Sequence, residues 1–99
     1  MISYTAFKKQ FTVGMRLEVE HHIRPEISGP RIVTKVQSNA IVMQPTDRPE
    51  VKGGWWMHWP KADRALVIDD DTLQILEDAI IASSSSRPGD PMVTYRIVR

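Results

Sequence analysis

The sequence predicts a mainly β protein, a small barrel with one short helix at its N-terminus. Apolar and polar residues alternate with a period of two in several short segments. Pro, Gly, Asn and Ser separate these segments at short intervals. Long amphipathic helices between the strands, which a layered α/β fold needs, are not predicted. The 99 residues match the usual size of one domain, so we expect a single domain over residues 1–99.

The N-terminal segment carries a helical pattern. Tyr4, Phe7 and Phe11 follow one another at i, i+3 and i+7, which places three aromatic rings on one helical stripe. Ser3 precedes them and is a suitable N-cap residue. The spacing therefore predicts a short helix that closes one end of the barrel or sheet.

The first strand follows Gly14. Its apolar residues Met15, Leu17 and Val19 alternate with Arg16, Glu18 and Glu20, as in a half-buried strand. Further strands are predicted at residues 31–37, 40–44, 55–59, 65–69 and 93–98. The turn Ser38-Asn39 joins residues 31–37 and 40–44 into a hairpin. Three stretches are predicted to be loops, at residues 23–30, 45–54 and 83–91.

Residues 72–82 fit two structures. As a helix, the segment would be capped by Asp71 and would have a leucine and isoleucine stripe. As a strand over residues 72–76, it would pair with residues 65–69 through a turn of three aspartates. The strand is favoured because residues 65–69 need a neighbour, and the helix stays open as the alternative.

A tryptophan cluster is the main pointer to function. Three of the seven aromatic residues are Trp55, Trp56 and Trp59. On a strand, Trp55 and Trp59 share one face with Met57, and Trp56 shares the other face with His58. The pattern predicts that the first face lies in the core and that the second meets solvent or a partner. The alternative, that all three tryptophans belong to the core, stays open.

Composition limits the classes of function. The net charge of +1 does not favour strong non-specific attraction to nucleic acid, and the absence of cysteine excludes disulfides and thiolate metal sites. No apolar run approaches the roughly 18 residues of a membrane span. The N-terminus lacks the order of a secretory signal. We therefore expect a cytoplasmic protein that does not enter a membrane.

Catalysis is not indicated, because the chain lacks a phosphate-binding Gly-rich loop, a nucleophile elbow and a zinc-protease motif. Glu18, Glu20 and His22 share a strand face and could hold a divalent ion, but a solvated polar face is favoured. Residues 69–71 are three aspartates without the Gly and distal Glu of a calcium loop, so a turn or a helix cap is favoured. We expect a protein that is not an enzyme and has no cofactor or metal.

The segment Phe11-Thr12-Val13-Gly14-Met15-Arg16-Leu17-Glu18-Val19 resembles the opening of the malignant-brain-tumour repeats, which begin with Phe-x-x-Gly-Met-x-Leu-Glu-Ala or a close variant. That family belongs to the Tudor-type group of SH3-like β-barrels. The resemblance implies an SH3-like, Tudor-type small barrel. The acidic and aromatic second half of the family is absent, so the resemblance does not imply its methyl-lysine pocket.

A non-catalytic protein-interaction module is the favoured function, because small barrels present loops and aromatic faces to peptides or nucleic acids. The candidate partner-binding residues are Trp56, His58, Arg48, Glu50, Lys52, Arg24 and Glu26. A protein or peptide is the expected partner. The alternative is a nucleic-acid-binding barrel, in which an indole stacks on a base and the phosphates meet Arg24, Arg31, Lys35, Arg48, Lys52, Lys61 and Arg64. A homodimer built on an exposed Trp56 is a further alternative.

Overall fold

The computed structural model describes residues 2–77 and 90–99. One antiparallel sheet of seven strands curls into a half-barrel, accompanied by a single short helix in these residues. The elements are α1 (Tyr4–Lys9), β1 (Arg16–His21), β2 (Gly29–Val36), β3 (Ala40–Pro45), β4 (Trp55–His58), β5 (Ala65–Asp69), β6 (Thr72–Leu76) and β7 (Pro91–Val98). The prediction of a mainly β fold with a short N-terminal helix is confirmed.

The strand order β4-β3-β2-β1-β7-β6-β5 makes β4 and β5 the two edges of the sheet. The chain passes from one edge to the other through residues 59–64 alone. Six extended residues reach about 20 Å at most. The two edges are therefore held near each other at this end, and the sheet has to curl.

Helix α1 closes this end of the half-barrel. The Ser3 hydroxyl accepts a hydrogen bond from the Ala6 N–H at 3.1 Å, which is the predicted N-cap. Phe7 is fully buried, and the Phe11 ring packs against the Trp59 ring at 5.1 Å. The Tyr4 hydroxyl donates a hydrogen bond to the Pro60 carbonyl at 2.7 Å. The helix is thus tied to the connection between the two edge strands.

The core lies on the concave face of the sheet. In β1, Leu17 and Val19 are buried and their polar neighbours are exposed, which confirms the predicted alternation. Strand β2 differs, because its buried residues are Arg31 and Val33 and the apolar set that begins at Ile32 lies on the other face. The core cluster consists of Phe7, Phe11, Leu17, Val19, Val33, Ile41, Met43, Met57, Leu73, Ile75, Val93, Tyr95 and Ile97.

The ambiguous segment is a strand where the structure describes it. Strand β6 pairs with both β5 and β7, so the helix alternative is wrong for residues 72–76. The turn before β6 is closed by Asp69, whose Oδ1 accepts the Asp71 N–H at 2.8 Å. This hydrogen bond holds the pKa of the Asp69 carboxyl below its usual value. Residues 78–82 lie outside the described part of the chain.

The predicted loops are more structured than their composition indicates. Residues 23–30 contain a short 3-10 turn, Pro25–Ile27, and the beginning of β2. The β3–β4 connection begins after Pro45, and its Val51 carbonyl accepts a hydrogen bond from Gln44 at 2.7 Å. Of the loop predicted at 83–91, residues 83–89 lie outside the described residues. Pro91 belongs to β7 because the first position of a strand tolerates proline.

Among residues 2–77 and 90–99, no helix has the length and apolar character needed to cross a membrane.

Candidate functional site

Strand β4 has one free edge, since β3 is its only strand partner in the described chain. The Trp59 N–H donates to the Asn39 carbonyl at 2.9 Å, and Met57 lies opposite Ile41. Hydrogen-bonded pairs alternate with non-hydrogen-bonded pairs along an antiparallel ladder. The backbone groups of Met57 therefore bind β3, whereas those of Trp56 and His58 point to the free edge.

The side chains of Trp56 and His58 are on the exposed face, as predicted. Trp56 is 51% exposed, and its ring stacks on the His58 ring at a centroid distance of 6.0 Å and an interplanar angle of 17°. The Lys35 ammonium lies 6.0 Å from the centre of the Trp56 ring. Met57, between the two rings in sequence, is buried in the core. Strand β4 thus presents an aromatic pair beside backbone groups that have no strand partner in the described part of the chain.

Trp55 is not part of the core, which corrects the prediction made for it. It is half-buried, and it packs against two arginines rather than against apolar side chains of the core cluster. The Arg31 guanidinium carbon lies 4.6 Å from the centre of the Trp55 ring, and that of Arg48 lies 5.6 Å from it. Trp59, by contrast, packs against the core as predicted. Trp55 serves as a platform for cations.

These residues border an open cleft beside β4, which we call the arginine cleft. It has a volume of about 570 Å³. Its lining residues are His21, Arg24, Ile27, Arg31, Gly54, Trp55, Trp56 and Tyr95. A second groove of about 480 Å³ continues toward Pro60 and shares His21, Trp56 and Tyr95 with the arginine cleft. Together they follow the length of β4.

Arg31 is the buried cation of this cleft, with only 5% of its surface exposed. Its Nη2 donates to the Ile27 carbonyl at 2.7 Å, and a further side-chain hydrogen bond joins it to Tyr95. Its Nε has no acceptor among the residues that the structure describes. Within the described chain, no carboxylate lies within 4.0 Å of its guanidinium. Burial lowers the pKa of Arg31 below its usual value, because the cation has lost water without gaining a full counter-charge.

The neighbouring charges are already paired. Arg48 donates through Nη2 to the backbone carbonyls of Glu26 and Ser28, and its Nε lies 3.9 Å from the Asp47 carboxylate. The Arg24 Nε lies 3.3 Å from the Glu26 carboxylate. Arg48 therefore fixes the backbone of the β1–β2 connection. Neither carboxylate forms an ion pair with Arg31, and the charge of Asp47 favours the Arg31 cation only from a distance.

His21 stands at the junction of the cleft and the groove as a neutral acceptor. Its Nδ1 accepts the Arg24 backbone N–H at 2.8 Å, which requires that this nitrogen carry no proton. Burial, with the nearby positive charges of Arg24 and Arg31, lowers the pKa of His21 below its usual value. His21 is therefore neutral near pH 7.

The structure brings together part of the predicted partner-binding set. Trp56 and Arg24 line the arginine cleft, and His58 lines the adjoining groove. Glu26 pairs with Arg24 and Arg48 braces the neighbouring loop, whereas Glu50 and Lys52 line neither cavity.

Sequence reasoning missed Trp55, His21 and Tyr95 as lining residues, and it treated Arg31 only as a surface phosphate contact. The sequence signal for this cleft is Arg31, a charged residue that shares a strand face with the apolar Val33.

Besides Arg24, which pairs with Glu26, three of the basic residues considered for a phosphate-binding surface bind backbone carbonyls within the protein. Arg31 and Arg48 bind backbone carbonyls of the β1–β2 connection, and the Arg64 Nε donates to the Leu76 carbonyl at 3.1 Å. These bonds leave fewer free cations for a continuous track of phosphates. In residues 2–77 and 90–99, no group of three or more His, Asp or Glu side chains is arranged to hold a metal ion.

Comparisons with models of protein families, with curated proteins and with solved structures find no match to this chain.

Proposed function

We propose that this chain is a non-catalytic protein-interaction module of the SH3-like, Tudor-type class that binds an extended peptide along β4. The observation that carries the proposal is the free edge of β4, where the backbone groups of Trp56 and His58 have no strand partner in the described chain. An extended peptide can add to such an edge through main-chain hydrogen bonds. Pockets beside the edge then supply specificity.

Two features favour a β4 edge that binds a peptide over an edge that only contacts solvent. Soluble proteins usually protect exposed edges with charges, proline or a covering loop, but here the edge strand carries an exposed indole stacked on His58. The arginine cleft and its adjoining groove follow the same strand. A peptide on β4 would place its side chains alternately toward these cavities and toward solvent.

The test is a binding titration with a fluorescein-labelled hexapeptide of alternating Val and Thr, acetylated and amidated at its ends. We expect saturable binding by the wild type. Trp56→Ala should weaken binding at least tenfold while the chain stays folded, because the indole is exposed. Leu66→Ala is the matched control, since Leu66 is 45% exposed on the opposite edge strand. Equal loss in both variants, or no binding by the wild type, would contradict the proposal.

Two further ligands complete the experiment. An oligothymidine strand tests the nucleic-acid alternative, whose affinity would fall steeply as salt is raised. The chain alone, run on a sizing column over a range of concentrations, tests whether a second copy occupies the edge. Salt-dependent binding of the oligonucleotide without binding of the peptide would replace the proposed function.

A further inference from the structure

Arg31 is a buried cation without an ion-pair partner in the described part of the chain. Burying an ionised group without a counter-ion is costly, and buried charges in proteins are normally paired. Arg31 is 5% exposed, and its partners in the described chain are one carbonyl and one tyrosine oxygen. The two nearby carboxylates are those paired with Arg24 and Arg48. Arg31 therefore has no ion-pair partner of its own in the described residues, and Asp47 compensates its charge only from a distance.

The position of Arg31 connects that charge to the proposed peptide site. Its guanidinium lies against Trp55, in the wall of the arginine cleft, and Trp55 is the first residue of β4. Trp56 lines the same cleft and points its backbone groups to the free edge. A side chain of a peptide added to β4 would enter the cleft beside Arg31.

We infer that the arginine cleft receives a carboxylate from an acidic side chain of the bound peptide, with Arg31 as its counter-ion. This inference rests on the proposed function and adds to it the chemistry of the recognised residue. A carboxylate matches the fork of guanidinium donors, and the buried Nε of Arg31 has no acceptor among the described residues. Trp55 and Tyr95 line the cleft beside Arg31, and an ion pair next to these aromatic rings is stronger than one in bulk water.

A single carboxylate fits better than a chain of phosphates. Two arginines line the cleft, and Arg24 is paired with Glu26, whereas Arg31 has no ion-pair partner in the described residues. The cleft therefore offers a single unpaired guanidinium. A nucleic acid presents repeated charges along its backbone and needs a row of free cations. One acidic side chain on an otherwise uncharged peptide strand would supply the single negative charge that pairs with Arg31.

The test compares two hexapeptides that differ in one residue. Both are labelled, acetylated and amidated strands of Val and Thr, and one carries Glu at a central position where the other carries Gln. Since hydrogen bonds to charged groups are stronger than neutral ones, we expect the Glu peptide to bind about tenfold or more tightly to the wild type. Equal affinity for the two would overturn the inference and leave the proposed function standing. Binding of neither peptide would overturn both.

Two variants test whether the preference for the Glu peptide over the Gln peptide depends on Arg31. Arg31→Met should abolish the Glu-over-Gln difference, because neither peptide then meets a guanidinium in the cleft. Arg16→Met is the matched control, because Arg16 is exposed on β1 and lines neither cavity, and it should keep the full preference. Near-ultraviolet circular dichroism reports whether Arg31→Met folds, and the peptide pair tests the wild type independently of that result. A preference that survives in folded Arg31→Met would overturn the role of Arg31.

Discussion

The Arg31 guanidinium carbon lies 4.6 Å from the centre of the Trp55 ring, in the wall of a cleft that runs beside an edge strand. This contact joins β2 to β4 across the intervening β3. It keeps Trp55 out of the apolar core and gives the buried cation an aromatic face in place of water. The candidate site is therefore built by two strands that are not neighbours in the sheet.

The two inward-facing tryptophans should differ in their contribution to stability. Trp59→Ala should lower the free energy of unfolding by about 3–5 kcal/mol, because the indole packs against Phe11 and the core cluster. Trp55→Ala should cost about 1–2 kcal/mol, the scale of a desolvated cation–π contact. Urea unfolding of both variants measures the difference. A larger loss for Trp55→Ala would place Trp55 in the core.

Gly54 should tolerate a methyl group less well than Gly53. Both have positive φ, of +73° and +77°, so alanine at either position is strained. A Cβ at Gly54 would also lie 2.9 Å from the Met43 carbonyl oxygen, whereas a Cβ at Gly53 meets nothing within 4 Å. We expect Gly53→Ala to cost about 1–2 kcal/mol and Gly54→Ala about 1–3 kcal/mol more. Equal melting temperatures of the two variants would show that the approach of Gly54 to β3 is looser than described.

Acidification should destabilise the protein through His21. Its folded pKa is lowered, by burial first and then by Arg24 and Arg31, so the unfolded chain takes up the proton more readily. The contribution of His21 to the free energy of unfolding is complete above the unfolded pKa of about 6.5. It is lost as the pH falls through the lower folded pKa. An NMR titration of the His21 ring should give a midpoint below about 6.5. A higher midpoint would contradict the hydrogen bond from Arg24 to its Nδ1.

Both tyrosines should resist ionisation in the folded protein. Burial raises the pKa of Tyr4 to about 12 and also raises that of Tyr95, against the opposing effect of Arg31. Stability from these shifts is present below the unfolded pKa of about 10 and is lost as the pH rises through the folded values. At pH about 10, phenolate absorbance should be far lower in the native protein than in urea. Tyr4→Phe leaves Tyr95 as the only source of the signal, and equal native and unfolded absorbance would contradict the burial of both rings.

The regular elements could be predicted because their periods are plain in the sequence. The spacing of Tyr4 and Phe7 predicted the helix, although the helix ends at Lys9 and Phe11 lies beyond it. The alternation around Leu17 predicted β1 and its buried side. The exposed pair of Trp56 and His58 also followed from period two alone. These predictions depend only on the spacing between residues that are close in the sequence, which can be read from the sequence directly.

The arginine cleft could not be predicted in the same way. In β2 the apolar alternation of Ile32, Thr34 and Val36 suggests a buried face opposite to the observed one, and an irregularity between Val33 and Lys35 interrupts the register. Arg31 faces inward because Trp55, Tyr95 and the Ile27 carbonyl surround its guanidinium. Those partners come from three other parts of the chain. Their convergence is a property of the curled sheet rather than of any local pattern.

Amide hydrogen exchange along β4, with and without the unlabelled Glu hexapeptide, tests the free edge most directly. In the free protein, the amides of Met57 and Trp59 should be protected by β3, whereas those of Trp56 and His58 should exchange rapidly. Addition of the peptide should slow exchange at Trp56 and His58 and leave Met57 and Trp59 unchanged. Peptide binding that leaves Trp56 and His58 unprotected would contradict strand addition at β4.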